Sequence, residues 1–319
     1  MDGGRIRLCQ LPTPVHQLHR LSQELDIDLW IKRDDLTGFA GGGNKGRKLE
    51  YLMAQALKQN AEVIVTCGSR QSNFVRQLGG ACAVFGLRCV AAVMRLPYEG
   101  PLGKPAAPCP AEGGNVVLDD LFGVELYLYD DGPWEDLFGH ASDLAARERE
   151  NGRSVFEVPI GGSSPLGAFA FAEAACEVET DFDAIVVPTS SGSTHAGLAW
   201  AFHGTSTKVF GIACDPEQDL LDDVCRLAGG IDELTGTKKG LLLQDLSLNR
   251  EYVGEGYGVA SRAGIEAQRL MARREAILLD PVYSAKAFSG LLGLARSGEL
   301  DGKTLFWHTG GFPSLFATP

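Results

Sequence analysis

Residues 41–50 of this chain read Gly-Gly-Gly-Asn-Lys-Gly-Arg-Lys-Leu-Glu. A glycine run thus delivers Lys45 to the start of a helical pattern, and Lys48 follows one turn later. A lysine at the edge of a pocket loses its proton more readily than one in water, and its neutral amine forms an imine with a carbonyl. The second lysine is spaced to hold a phosphate on the same compound. The pair points to a cofactor that carries both an aldehyde and a phosphate, the chemistry of pyridoxal 5'-phosphate.

Ser190-Ser191-Gly192-Ser193-Thr194 lies between the apolar run 184–187 and a helical pattern. Free N–H groups and the dipole at a helix start favour an anion, and the hydroxyls add donors. A plain helix cap would need only one hydroxyl. Gly68-Ser69-Arg70-Gln71-Ser72-Asn73 is a second donor-rich turn between a strand and a helix. Turn and cap chemistry alone would explain Ser72 or Asn73. The functional reading has Ser72 and the helix start holding a substrate carboxylate, with Asn73 on the cofactor's ring hydroxyl. Other chemistries fit less well. Gly38 to Lys45 nearly spells a nucleotide-phosphate loop, but Asn44 separates Gly43 from Lys45 and Gly46 replaces the required hydroxyl residue. No G-x-S-x-G or H-E-x-x-H motif occurs, and His195 and His203 are too far apart on one helix to chelate, so no metal site is expected.

Short apolar runs alternate with helical patterns, which predicts parallel sheets with crossover helices. Strands are expected at 29–32, 63–66, 89–94, 125–129, 154–159, 184–188, 209–213 and 305–308. Helices are expected at 45–59, 72–85, 115–122, 134–150, 166–178 and from about 195 to 203. Residues 97–110 read as a surface loop. Ligands of open α/β sheets sit at the carboxyl ends of strands, so the loops 68–73, 189–194 and 308–311 are expected to meet in one crevice.

The 319 residues suffice for two domains, and the net charge of −12 argues against a nucleic-acid partner. Cys9, Cys67, Cys82, Cys89, Cys109, Cys176, Cys214 and Cys225 are scattered without a C-x-x-C pair and read as buried free thiols of a reducing compartment. Neither a signal peptide nor a membrane span is legible. The expectation is a soluble cytoplasmic protein.

Taken in order, these motifs resemble the fold-type II pyridoxal-phosphate enzymes that include D-cysteine desulfhydrase, L-cysteate sulfo-lyase and 1-aminocyclopropane-1-carboxylate (ACC) deaminase. The likeness covers nearly the whole chain. It runs through Leu11-Pro12-Thr13-Pro14, Lys32-Arg33-Asp34-Asp35, Gly42-Gly43-Asn44-Lys45 with Arg47-Lys48-Leu49-Glu50, and Gln71-Ser72-Asn73. It continues with Gly161-Gly162-Ser163-Ser164, Gly192 to Gly197, Gly256-Tyr257-Gly258, Asp280-Pro281-Val282-Tyr283 and His308-Thr309-Gly310-Gly311. The resemblance implies an α/β fold with two open twisted, mainly parallel sheets flanked by helices, like the tryptophan synthase β chain. It implies a large cofactor domain of residues 1–47 and 159–319, a small domain of 48–158 inserted in it, and a homodimer. It makes Lys45 the lysine that bonds the cofactor and Lys48 a phosphate contact. Ser72 and Asn73 go to substrate and ring, and Tyr257 and Tyr283 line the substrate face.

The resemblance also places Ser284 at the pyridine nitrogen, where ACC deaminases carry glutamate. A hydroxyl does not balance a pyridinium charge, and a weaker electron sink suits β-elimination of a good leaving group. D-cysteine or L-cysteate is therefore expected as substrate. ACC comes second, and a cofactor-binding relative without catalysis is the remaining alternative. Two departures bear on the substrate. Phe74 stands where relatives commonly have histidine, and Arg70 stands where they have a small or apolar residue. Beside Gln71 and Ser72, an arginine facing the site would pair with a second acidic group such as a sulfonate.

Overall fold

The computed structural model describes residues 4–106, 110–300 and 302–318, so Cys109 lies outside the described residues. In chain order the strands are β1 (Val15–Gln17), β2 (Asp28–Arg33), β3 (Val63–Ser69), β4 (Arg88–Met94), β5 (Glu112–Gly113), β6 (Glu125–Tyr129), β7 (Val155–Glu157), β8 (Ala184–Thr189), β9 (Lys208–Ala213), β10 (Ser247–Asn249), β11 (Lys303–His308) and β12 (Ala317–Thr318). The helices are α1 (His19–Leu25), α2 (Lys45–Lys58), α3 (Asn73–Phe85), α4 (Gly114–Leu121), α5 (Trp134–Glu150), α6 (Pro165–Ala175), α7 (Ser193–Phe202), α8 (Leu220–Thr235), α9 (Arg262–Glu275) and α10 (Ser284–Arg296).

Two principal sheets result. One has six strands in the order β1-β2-β11-β8-β9-β10, and the other has four in the order β6-β4-β3-β7. Every pair in both is parallel except β1 with β2. This is the open, mainly parallel α/β architecture that the motif order implies.

Each central strand is apolar on both faces because helices cover both. Successive side chains of a strand point to opposite sides, and β3 divides its own accordingly. Ile64 packs with Leu49, Leu52 and Met53 of α2 and with Phe74 and Leu78 of α3. Val63, Val65 and Cys67 pack on the other face with Leu137, Leu144 and Ala145 of α5. Strand β11 does the same in the larger sheet, with Phe306 against Phe288 and Leu291 of α10, and Leu305 and Trp307 against Phe171 of α6. Each such side chain contributes about 1.5–3 kcal/mol by leaving water.

Three expectations change. Helix α6 ends at Ala175 rather than Val178, because the N–H groups of Cys176, Glu177 and Val178 bond carbonyls three residues back. Helix α7 begins at Ser193, two residues earlier than expected. Cys176 is exposed, whereas Cys67, Cys82, Cys89 and Cys214 are buried free thiols. No helix among the described residues is long and apolar enough to cross a membrane.

Candidate active site

A cavity of about 550 Å³ is lined by the segments that follow β3, β7, β8, β9 and β11. The three loops expected to converge do so. Gly68, Ser72 and Asn73, then Thr189 to Gly192, then Thr309 and Gly310 all belong to its wall.

The backbone before α2 aims Lys45 into this space. Gly42 has φ of 76°, and a Cβ there would lie 2.1 Å from the Asp35 carbonyl oxygen, so only glycine makes the turn. Lys45 Nζ donates to Asn44 Oδ1 at 3.1 Å, and Asn44 Nδ2 donates to Thr194 Oγ1 at 3.0 Å. Asn44 thereby ties the lysine to the start of α7. It was not among the sequence-derived site residues, although it directly precedes Lys45. Burial pulls the Lys45 ammonium from 10.5 down to about 8, against the opposing pull of Asp280. With that value about a tenth of the amine is neutral at pH 7, a far larger share than for an exposed lysine.

Lys48 is buried one turn further on and donates to the Gly161 carbonyl at 3.0 Å. Burial and the neighbouring Lys45 hold its pKa well down. Two buried amines side by side favour an anion between them and the loop opposite. That loop contains Ser190, Ser191, Gly192 and Thr194 in the cavity wall. Gly192 has φ of 81° and caps α7, whose first N–H groups are free of helical partners. Ser163 donates to the Ser191 carbonyl and fixes the loop from behind. Ser193 is buried behind the wall rather than in it, and its Oγ has no hydrogen-bond partner. His195 Nδ1 lies 3.2 Å from Thr189 Oγ1, its Nε2 is unpartnered, and burial lowers its pKa to about 4, so the imidazole is neutral. A Cβ on Gly161 would fall 2.6 Å from Ser191 Oγ, so the space facing the lysines is kept clear. An amine, a hydroxyl and N–H cradle and an open floor fit pyridoxal phosphate. Lys48→Ala should weaken cofactor uptake by about 10–100-fold, as expected for losing a hydrogen bond to a charged group. Titration of cofactor-free protein with pyridoxal phosphate measures it, and an unchanged affinity would remove Lys48 from the phosphate site.

The substrate side is less uniform. Ser72 caps α3, its Oγ accepting from the Phe74 and Val75 N–H groups at 3.2 and 3.3 Å. Asn73 Oδ1 accepts from Asn115 Nδ2 at 3.0 Å. Ser72, Asn73 and Phe74 all line the cavity. Arg70 and Gln71 do not. Arg70 Nε donates to the Ala111 carbonyl at 2.7 Å, and Gln71 Oε1 accepts from the Asn115 N–H at 2.9 Å. The expectation of Arg70 beside the substrate is corrected, because the neighbouring 111–115 segment takes both side chains.

Tyr257 and Tyr283 face each other across the wall with hydroxyls 2.6 Å apart. The Lys45 Nζ lies 5.9 Å from the Tyr283 ring centre. Burial, then Tyr257, pushes the Tyr283 hydroxyl well up, so it keeps its proton. Ser284 is fully buried and lies outside the wall. Its Oγ donates to Asp280 Oδ1 at 2.5 Å, and Asp280 also accepts the N–H groups of Val282, Tyr283 and Ser284 at 2.9, 2.9 and 2.7 Å. The serine has a carboxylate directly behind it, which the reading of Ser284 alone did not include.

The sequence matches the family described as pyridoxal-phosphate dependent enzyme over residues 6–310. D-cysteine desulfhydrases of Salmonella paratyphi B and Salmonella typhi are each 37% identical over 321 aligned positions, spanning 98% of this chain and 95% of theirs. A crystal structure of an ACC deaminase homologue is similar with a TM-score of 0.89 and 35% identity, spanning 99% of this chain and 94% of that one.

Proposed function

The chain belongs to the pyridoxal-phosphate-dependent enzymes, and on that premise we propose that it is a carbon–sulfur lyase that eliminates sulfide from D-cysteine. The observation that carries this reading is the buried Lys45 amine, at about 8, in one cavity with the hydroxyl pair of Tyr257 and Tyr283. Lys45, Lys48 and Ser190, Ser191, Gly192 and Thr194 would hold the cofactor, with Asn73 on the side of its ring. Bound pyridoxal phosphate supplies the electron sink that makes an amino acid's α-hydrogen acidic. Lys45 Nζ, neutral in part at physiological pH, receives that proton. Ser72 and the N–H groups at the start of α3 orient the substrate carboxylate. The Tyr283 hydroxyl, still protonated, hydrogen-bonds the departing sulfur, and Tyr257 holds it in place.

D-cysteine is favoured over L-cysteate because Arg70 lies outside the cavity wall, with its Nε turned to the Ala111 carbonyl, and so is not placed to meet a sulfonate. The second reading, ACC deamination, is supported by Asp280. It puts a carboxylate one hydroxyl beyond the position where the resemblance places the ring nitrogen. In this reading residues 1–47 and 159–319 form the large domain, residues 48–158 the inserted small one, and the protein acts as a cytoplasmic homodimer. Keto-acid release from D-cysteine, L-cysteate and ACC tests the choice. Pyruvate with sulfide from D-cysteine is the expected result. Pyruvate with sulfite from L-cysteate, or 2-oxobutyrate from ACC, would replace it, and cofactor uptake with no turnover of any amino acid would mark a non-catalytic relative.

A further inference from the structure

The cavity has a second face that the elimination does not use. Beyond the phosphate loop, the segment after β9 brings Asp215 and Glu217 into the wall, and Glu99, Glu135 and Asp223 join them. Asp215 is only 4% exposed. Ser190 and the Glu217 backbone hold its carboxylate, yet its Oδ1 has no hydrogen-bond partner. A buried carboxylate oxygen without a donor is unfavourable unless something else supplies one.

The nearby cations are already engaged. Arg226, the arginine in this wall, is paired with Asp223. Lys286 donates to the carbonyls of Cys214 and Gly256 at 3.1 and 2.8 Å. Arg250 donates to the carbonyls of Glu217 and Gln218. Burial, then the crowding of Asp215, Asp223, Glu99 and Asp219, pushes Glu217 up to about 8. Lys286 and Arg250 still favour the ionised Asp215 from a distance, but no cation bonds its Oδ1. Among the described residues no group of three His, Cys, Asp or Glu is arranged to hold a metal ion, which favours an organic cation.

We infer that this face receives an ammonium group on the substrate's side chain, with Asp215 Oδ1 as its acceptor. The site then prefers amino acids with a short cationic side chain, accepts neutral ones, and rejects anionic ones. This deepens the proposed function and rests on an amino acid being the ligand, but it does not depend on any bond being broken.

The test therefore uses binding. Calorimetric titration of the holoenzyme compares 2,4-diaminobutyrate and ornithine with norvaline and norleucine, and with aspartate and glutamate. None of these carries a β leaving group. The cationic pair should bind at least about tenfold tighter than the neutral pair, and the anionic pair weaker still. In Asp215→Asn the preference for the cationic pair should shrink toward unity, whereas Glu217→Gln, which replaces an acid that largely holds its proton at neutral pH, should keep it. Equal affinities in the three classes, tighter binding of the anions, or no binding of the diamino acids would overturn the assignment. So would a preference that Asp215→Asn retains. Failure of D-cysteine turnover alongside the expected ranking would instead discard the lyase reading and leave the cation site standing.

Discussion

Lys45→Ala should abolish keto-acid release, lowering it by at least about 10³-fold, since one substitution removes both the covalent anchor and the proton acceptor. Borohydride should no longer fix the cofactor to the protein. Lys48 and the 190–194 loop would still bind its phosphate, so noncovalent uptake should persist. The wild-type protein gives a second signature. Burial holds Lys45 at about 8 rather than 10.5, and only the neutral amine attacks an aldehyde. The rate of covalent loading should therefore rise with pH and level off above about 8. A rise continuing toward 10.5 would mean that the lysine is solvated. Retained turnover in Lys45→Ala would falsify the proposed mechanism outright.

The legible parts of the site were those in which chemistry and local geometry share one short segment. Lys45 and Lys48 are one helical turn apart, and Ser190 to Thr194 sit on one strand-to-helix turn, so adjacency in sequence is adjacency in space. Arg70 shows where that logic stops. It shares a turn with Ser72, but its direction is decided by a carbonyl 41 positions away, at Ala111. No local pattern encodes such a contact. The reading of Ser284 was incomplete for a different reason. Asp280 stands four residues earlier, and an aspartate before a turn commonly accepts the N–H groups that follow it, as it does here from Val282, Tyr283 and Ser284. Asp215 carried no motif at all. Only the packing of β9 against β8 and the loops around them makes it a buried, half-paired acid.

The fold is legible where hydrophobic periodicity is strong. The buried set Leu220, Val224, Leu227, Ala228 and Ile231 of α8 has helical spacing, so its pattern was present in the sequence. Strand β1 is only three residues long and pairs antiparallel with β2, too short for any alternation to declare itself.

Asp34→Ala should be among the most destabilising single changes in the large sheet, because Asp34 anchors the start of the lysine helix. Its carboxylate is fully buried and accepts Arg47 Nε and Nη2 at 2.9 and 2.8 Å, Thr13 Oγ1 at 2.8 Å and Trp307 Nε1 at 2.9 Å. Arg47 also reaches Glu177 at 2.6 Å, and Lys32 meets the same glutamate at 2.6 Å. Removing Asp34 leaves Arg47 paired with Glu177 but takes the acceptor from the Arg47 Nε–H, the Trp307 indole N–H and the Thr13 hydroxyl, a loss of about 3–5 kcal/mol. The melting temperature should fall by about 4–8 °C. Exposed pairs behave differently. Glu266→Ala breaks the Arg262 pair, whose side chains are 95% and 67% exposed, and should change stability by less than about 0.5 kcal/mol. Calorimetry of the two variants compares the same bond type in opposite surroundings, and equal shifts would contradict the role given to burial. Acid should probe the same cluster. Burial alone would raise Glu177, but Arg47 and then Lys32 outweigh it and hold it at about 2 against an ordinary 4.5. A depressed carboxylate stabilises the fold above its unfolded pKa and loses that contribution as pH falls toward the folded one. The Glu177 share should therefore be intact above about 4.5 and gone by about 2. Glu177→Gln should flatten this part of the stability curve, and because Arg47 lies two residues from Lys45, it should also slow covalent loading of the cofactor.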